Sequence, residues 1–550
     1  GIVLDQLNQY LKPHGLFYPV DVSTANRATL GGMTGNNSCG ARSIRYGNMV
    51  HNVNSVEALL ADGTHAHFKP VNDLPEDNLA YQRLVQKMLE LGQREASEIR
   101  SRFPKLLRRV GGYNIDELIK EEPNMGRLLV GSEGTLGFFK RIHLDLQPIP
   151  PEKVLGVCHF PSFYEAMDAT QHIVKLDPDA VELVDRTMIE LARDIPIFAS
   201  TVNRFVRGEP EALLLVEFAG ENGDQQLRRL RQLVELMGDL GFPNSVVEAS
   251  DKEFQNAIWE VRKSGLNIMM SMKGDGKPVS FIEDCAVQLE DLAEYTRRLT
   301  DIFNKHGTTG TFYAHASVGT LHVRPILNMK EESGATKMRS IAEECMEMVR
   351  EYKGSHSGEH GDGISRSEFH EPMFGKRMVE NFEEVKRAFD PTNLFNPGKI
   401  VNPHRMDDRE IMRFKPAYSP IALDTSLDWS EWGGFHRAIE MCNNNGACRK
   451  ASVGTMCPSY RATKDEQHLT RGRANTLRLA ITGQLGDDGF TSNAMYQAMD
   501  LCVSCKGCKR ECPTGVDMAA MKVEFLYHYH QKHGLSVRDR LFAYLPRYAH

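Results

Sequence analysis

Four cysteines, Cys502, Cys505, Cys508 and Cys512, followed at once by Pro513, constrain this chain more than any other feature. Three thiolates separated by two residues wrap one face of a polynuclear centre in a tight loop, and the proline ends that loop and turns the chain away. Seven of the 11 cysteines crowd into 71 residues, because Cys442, Cys448 and Cys457 precede this group. Cys39, Cys158, Cys285 and Cys345 are scattered through the first 441 residues and read as small buried hydrophobes.

The spacing Cys502-x2-Cys505-x2-Cys508-x3-Cys512-Pro513 is that of bacterial ferredoxins, whereas zinc sites rarely run three evenly spaced cysteines into Cys-Pro. Cys442-x5-Cys448-x8-Cys457-Pro458 is a degenerate partner, with Asn445 where a further cysteine would stand. In two-cluster proteins the fourth cysteine of each run ligates the other cluster. Cys457 is therefore expected with Cys502, Cys505 and Cys508, and Cys512 with Cys442 and Cys448. Two iron–sulfur clusters follow, of 4Fe-4S type, the second one thiolate short and open to Asn445, His468, solvent or a three-iron centre. Arg449, Lys450, Arg471, Arg473, Lys506, Lys509 and Arg510 suit the anionic charge of such clusters. Thiolate clusters survive best in a reducing compartment, so a cytoplasmic setting is expected, with a peripheral place on the inner membrane face as the variant.

At 550 residues the chain is long enough for several globular units. Its 66 Lys plus Arg against 73 Asp plus Glu give a net charge of −7, which argues against a basic nucleic-acid binder and a disordered acidic chain. Mean hydropathy is −0.40, and no window approaches the ~20 apolar residues of a membrane span. Residues 436–550 hold 16 Lys plus Arg against 10 Asp plus Glu, a surplus of +6 that leaves −13 on the remainder. The chain opens at Gly1-Ile2-Val3-Leu4 inside an apparent strand and ends as abruptly, so further sequence is expected at both ends.

Proline and periodicity changes divide the chain into residues 1–150, a glycine-rich unit; 151–400, where strands and helices alternate; 401–434, a linker; 435–530, a helical cysteine-bearing unit; and 531–550, the start of a further region. Residues 154–160 and 212–218 read as buried strands, and 226–240, 341–352 and 377–389 as helices. The class is α+β.

The glycines of the first unit suit close backbone approach to a ligand. Gly31-Gly32-Met33-Thr34-Gly35-Asn36-Asn37-Ser38-Cys39-Gly40-Ala41-Arg42, then Leu129-Val130-Gly131-Ser132-Glu133-Gly134-Thr135-Leu136-Gly137, resemble the second half of the vanillyl-alcohol-oxidase (PCMH) type FAD-binding domain. The resemblance implies FAD, held by Gly32, Gly35, Asn36, Asn37, Ser38, Gly40, Gly131, Ser132, Gly134, Thr135 and Gly137, with Asn396 added from a later segment. Family members carry an earlier pyrophosphate loop, expected ahead of Gly1, so the chain as given holds part of a flavin site.

In the second unit, His315 and His322 stand seven apart with Gly319 between them, and Ser357-Gly358-Glu359-His360-Gly361-Asp362-Gly363 follows. Two imidazoles and a carboxylate can converge on one divalent ion, zinc first and manganese or iron next, leaving room for a substrate oxygen. The set resembles the flavin-dependent D-2-hydroxyacid dehydrogenases, up to Phe389-Asp390-Pro391 and Asn396-Pro397-Gly398-Lys399, and with the cysteine groups the long bacterial FAD/iron–sulfur members. It implies an α+β substrate (cap) domain, metal ligation by His315, His322 and Glu359, and His360 as general base. It also implies a substrate carboxylate held by Arg262, in Trp259-Glu260-Val261-Arg262, and by Lys277.

Two departures bear on the substrate: Leu266 stands where relatives often have a hydroxyl, and Arg324 where they often have Asn. An added guanidinium favours a second anionic group, hence D-2-hydroxyglutarate over D-lactate. The expected reaction is oxidation to the 2-oxo acid, with electrons leaving through the clusters to a quinone or redox protein, from a chain that could be a homo-oligomer. The alternatives are a D-lactate dehydrogenase of the same mechanism and a non-catalytic flavin/iron–sulfur electron-transfer subunit. An oxidase would leave seven cysteines idle, and the acidic total argues against an iron–sulfur protein acting on nucleic acid.

Overall fold

A computed structural model describes residues 1–73, 78–193, 195–450 and 454–548. Gly1–Gly265 with Pro278–Arg409 form one compact unit, and Leu266–Lys277 with Glu410–His550 a second.

The first unit is built on two main antiparallel sheets, beside a short antiparallel pairing of Leu16–Phe17 with Gln147–Pro148. The smaller orders His65–Phe68, Val53–Leu59 and Phe138–Leu144, with Val53–Leu59 central. Helix Leu79–Arg102 turns Tyr81, Leu84, Val85, Met88, Leu91 and Ile99 inward at helical spacing, and they share one core with Phe68 of this sheet. The apparent strand at the front is instead the start of helix Leu4–Leu11: Leu4 and Leu11, seven apart, are both buried, while Val3 makes only an isolated bridge to Thr29. A four-residue window cannot separate these readings; helical spacing shows only over two turns.

The larger sheet runs in the order Val246–Ala249, Glu152–Phe160, Ala212–Gly220, Ala180–Asp185, Gly310–His315 and Thr320–Leu327, each neighbour antiparallel. Val154 to Phe160 and Ala212 to Phe218 are continuously buried, which explains why they read as unbroken apolar runs rather than alternating ones. Helix Gly223–Asp239 opens on Asn222, whose side chain accepts the Gln225 N–H at 3.0 Å, and lays Leu230, Leu233 and Met237 inward. Lys376–Phe389 and Glu332–Glu351 are likewise helices.

Register decides which side chains meet. Tyr313 lies opposite His322, and His315 opposite Glu182, on neighbouring strands, so each pair shares a face of the sheet. The turn between the last two strands passes through Gly319 at φ +66°, with Val287 O only 2.0 Å from where a Cβ would stand.

The second unit is helical. Between helix Lys376–Phe389 and the short turn Ser430–Trp432 no helix or strand forms among the described residues, in line with the proline-spaced sequence. Helices Phe435–Glu440, Thr470–Ile481, Asn493–Asp500 and Met518–His533 follow, around a core of Trp429, Phe435, Leu477, Phe490, Met499 and Phe525. Fully buried Glu524 accepts the N–H groups of Ser426 and Leu427 and the Trp429 indole N–H at 2.8, 3.0 and 2.9 Å, pinning the incoming segment to the last of these helices.

Replacing Gly319 by Ala should lower unfolding stability by about 1–3 kcal/mol, from left-handed strain and the clash with Val287 O. Denaturant unfolding with the m-value held fixed would check it.

Candidate active site

The loop carrying Glu359 and His360 is held by one carboxylate. Asp284, fully buried, accepts the backbone N–H groups of Gly358, Glu359 and His360 on a single oxygen at 3.1, 2.8 and 2.7 Å. Its other oxygen lies 2.9 Å from Arg366 Nη2.

So held, Glu359 points Oε1 at two imidazoles, His322 Nε2 at 2.7 Å and His315 Nε2 at 3.2 Å, with His360 Nε2 at 3.4 Å. Its Oε2 pairs with Arg108 Nη1 at 2.5 Å, and Arg108, with no exposed surface, also donates to Ser43 Oγ, Gly40 O and Cys39 Sγ. Burial alone would raise the Glu359 carboxyl, but His315, Arg108 and His322 together hold it well below the usual range. Across the sheet, Glu182 Oε1 accepts from His315 Nδ1 at 2.7 Å, leaving Nε2 toward Glu359. Burial pulls His315 down, yet Glu182 and Glu359 raise it overall; His322 stays well below its ordinary value, chiefly through burial.

Around this core, the Tyr313 ring stacks on His322 at 4.5 Å, and His322 on His360 at 4.9 Å. Arg262 pairs with Glu182 Oε2 at 2.6 Å, and its guanidinium lies 4.9 Å from the Tyr313 ring centre. Arg324 reaches the same ring, donates to Tyr313 OH and Ser280 Oγ at 2.9 Å each, and pairs with Glu283. Glu283 Oε1 is also 3.0 Å from His360 Nδ1. Arg262, His315, His322, Arg324, Glu359 and His360 thus come together. Lys277 lies in the second unit, where its Nζ donates to Met272 O and lies 3.6 Å from Met441 Sδ. The side chain of Leu266 falls outside the described residues.

The two glycine-rich segments are neighbours. Gly131 N–H donates to Thr34 O at 2.9 Å and Glu133 N–H to Gly35 O at 2.8 Å, while Asn396 Nδ2 donates to Glu133 O at 2.7 Å. Asn36 Nδ2 donates to Glu359 O at 2.7 Å, so this pair of segments abuts the Glu359 loop. Asn37 Nδ2 and Ser132 Oγ are buried without a hydrogen-bond partner among the described residues, polar atoms still available to a ligand. Thr135 Oγ1 instead bonds to Ser132 O and Tyr113 OH.

In the second unit Cys457, Cys502, Cys505 and Cys508 line one small pocket. Cys442, Cys448 and Cys512 lie within electrostatic reach of one another, and burial pushes the Cys448 thiol up to about 11. Arg473, fully buried, sets Nη1 3.7 Å from Cys457 Sγ and donates to His468 O and Ala498 O. Asn445 Oδ1 accepts the Ala447 N–H at 2.8 Å, and His468 Nδ1 lies 2.9 Å from Thr463 Oγ1. Cys158, Cys285 and Cys345 are buried with thiols raised by burial, as small hydrophobes should be; Cys39, also buried, lies instead against Arg108 and Glu359.

Sequence reading missed Arg108, Glu182, Glu283, Asp284 and Tyr313. The acids carried a signal: Glu182 and the pair Glu283-Asp284 interrupt apolar strand-like runs, where an ionisable side chain needs a partner. Arg108, beside Arg109 in an irregular segment, carried none.

Residues 149–400 match the family described as FAD linked oxidases, C-terminal domain; residues 1–69 match an FAD binding domain and 438–516 a 4Fe-4S dicluster domain. The chain thus carries an FAD binding domain, the C-terminal domain of FAD linked oxidases and a 4Fe-4S dicluster domain, in that order. It is 30% identical to a D-2-hydroxyglutarate dehydrogenase of Pantoea ananatis, across 100% of this chain and 58% of that one, and so spans little more than half that relative's length. It is 25% identical to the mitochondrial D-lactate dehydrogenase (cytochrome) of Arabidopsis thaliana, over 74% of this chain and 61% of that. The solved structure of p-cresol methylhydroxylase with substrate bound shares the fold, with a TM-score of 0.50 at 13% identity over 73% of this chain and 75% of that. Among the described residues no helix is long and apolar enough to cross a membrane.

Replacing Arg108 by Met would strand the buried Glu359 carboxylate and should cost about 3–5 kcal/mol of stability. The double variant R108M/E359Q should recover part of that loss in the same unfolding measurement.

Proposed function

We propose that the chain oxidises a D-2-hydroxy acid, D-2-hydroxyglutarate first, to the 2-oxo acid. The observation that carries this reading is the shared Glu359 oxygen, aimed at two imidazoles with His360 alongside. His315, His322 and Glu359 fit a divalent ion of zinc type: their donor atoms lie within 4.8 Å of one another, and Glu182 orients His315 as ligand-bearing histidines are oriented. Asn37 Nδ2 and Ser132 Oγ, with the glycines beside them, fit FAD. Cys457, Cys502, Cys505 and Cys508, and Cys442, Cys448 and Cys512, fit two clusters under the crossed pairing.

When bound, the ion would acidify the substrate's α-hydroxyl, FAD would take the two electrons released, and the clusters would carry them onward singly. The chain's own residues supply the rest. Arg262, braced by Glu182 and Tyr313, would grip the carboxylate and hold the α-hydrogen in one orientation. His360 Nε2 would take the hydroxyl proton, and Glu283 at Nδ1 keeps the imidazole in the orientation that task needs. Tyr313 and His322 close one side with stacked rings, limiting water.

The relative from Pantoea ananatis supports D-2-hydroxyglutarate, and Arg324 offers a second cation to a dicarboxylate. One observation favours D-lactate as second reading: the Arg324 charge is already matched by Glu283. We infer a quinone or redox protein as electron acceptor, and a cytoplasmic setting for the chain, with a peripheral place on the inner membrane face as the variant.

Anaerobic visible spectra of the purified holoenzyme test the reading. D-2-hydroxyglutarate should bleach the flavin bands and the iron–sulfur shoulder, with D-lactate slower and the L-enantiomer inert; no bleaching by any hydroxy acid, with both chromophores present, would leave an electron-transfer subunit. His360→Asn should lower kcat by about 10²- to 10⁴-fold with cluster content intact. Arg324→Ala should cut kcat/KM for D-2-hydroxyglutarate at least tenfold more than for D-lactate; equal losses would remove Arg324 from substrate selection.

A further inference from the structure

Three buried groups outside that cluster stand in a similar arrangement. His356, Asp362 and His370 are 0%, 1% and 2% exposed, and their donor atoms lie within 4.8 Å of one another. Asp362 Oδ2 is 2.9 Å from His370 Nε2, and Oδ1 is 3.4 Å from His356 Nε2. The two rings are 5.4 Å apart at 83° to each other; those of His315 and His322 are 4.9 Å apart, also at 83°. Two imidazoles bound through Nε2 to one tetrahedral ion, at metal–nitrogen distances of about 2.0–2.1 Å, place their ring centres about 5 Å apart.

The surroundings also have the form expected around a metal. His370 Nδ1–H donates to Ile400 O at 2.9 Å, which orients the ring with Nε2 facing Asp362. Gly112 N–H donates to Asp362 Oδ2 at 2.7 Å, steadying the carboxylate. His356 supplies the independent observation: fully buried against Phe374, it has no hydrogen-bond partner at Nδ1 among the described residues, and its Nε2, aimed at Asp362, does not reach hydrogen-bond geometry. An imidazole left in an apolar setting with neither nitrogen engaged is costly, and an ion shared with Asp362 and His370 would engage it.

We propose that His356, Asp362 and His370 form a second divalent-metal site, for an ion of zinc type, separate from His315, His322 and Glu359. Two neutral imidazoles and one carboxylate are donors such an ion accepts. The site is closed to solvent, so its role is structural: it ties the loop that carries Glu359 and His360 to helix His370–Phe374 and to the backbone at Gly112. A site this buried takes its ion as the chain folds, so binding contributes to folding stability. The inference does not depend on the proposed reaction.

The test is zinc content and position in the full chain with its clusters, purified from zinc-supplemented cells. Mass-spectrometric metal analysis should find two zinc ions per chain, and H356L/H370L should reduce this to one. Anomalous difference density at the zinc edge in wild-type crystals should show a peak between His356, Asp362 and His370. Wild-type crystals lacking that peak would overturn the proposal, whether or not the double variant folds. A peak there with none at Glu359 would uphold this site while removing the ion from the proposed reaction.

Discussion

Three backbone N–H groups converging on one oxygen of Asp284 are the contact on which the rest of the first unit's site depends. A loop with Gly358, Gly361 and Gly363 has little conformational reason to prefer one path, and each residue it fixes loses backbone freedom worth about 1–2 kcal/mol. A buried carboxylate needs several donors to remain charged in an apolar interior, and consecutive amides provide them. Each solves the other's difficulty. Because the amides are those of Gly358, Glu359 and His360, satisfying Asp284 also sets where the Glu359 carboxylate and the His360 ring project.

From that fixed loop outward, charge is matched pairwise. Glu359 meets Arg108, Glu182 meets Arg262, Glu283 meets Arg324, and Asp284 meets Arg366. In each pair at least one side chain is 5% exposed or less, so removing either partner would leave an uncompensated buried charge. Such a lattice of pairs adds little net stability, since desolvation offsets most of the attraction. What it gives is a single arrangement: none of these side chains can move without exposing its partner's charge to an apolar environment.

The sequence made the chemistry-bearing residues legible and their supports largely illegible. The cysteine spacing, His315 and His322 with Gly319 between, and the loop through Glu359 are local patterns, readable because a short chain segment presents the donors together. Glu182 reaches His315 only through strand register, and Arg108 reaches Glu359 across 251 residues. Long-range pairs of this kind leave no periodic trace. Buried strands 152–160 and 212–220 were legible as apolar runs, while the first helix was mistaken for a strand because four residues carry too little period to tell the two apart.

The second unit applies charge matching differently. Arg473 is fully buried, and no carboxylate pairs with it among the described residues; its donors go to backbone carbonyls of Ala498 and His468 and to Ser459 Oγ, with Cys457 Sγ next in reach. Carbonyl dipoles alone compensate a buried guanidinium poorly. A thiolate at Cys457 would complete the compensation, and burial opposes thiolates unless a metal centre takes up their charge. Of the other cations near the cysteines in sequence, Arg449 and Arg471 pair with Glu466, Lys450 with Glu511 and Lys509 with Asp517. Arg473 thus sets a buried cation beside Cys457, as the proposed cluster at Cys457, Cys502, Cys505 and Cys508 would require.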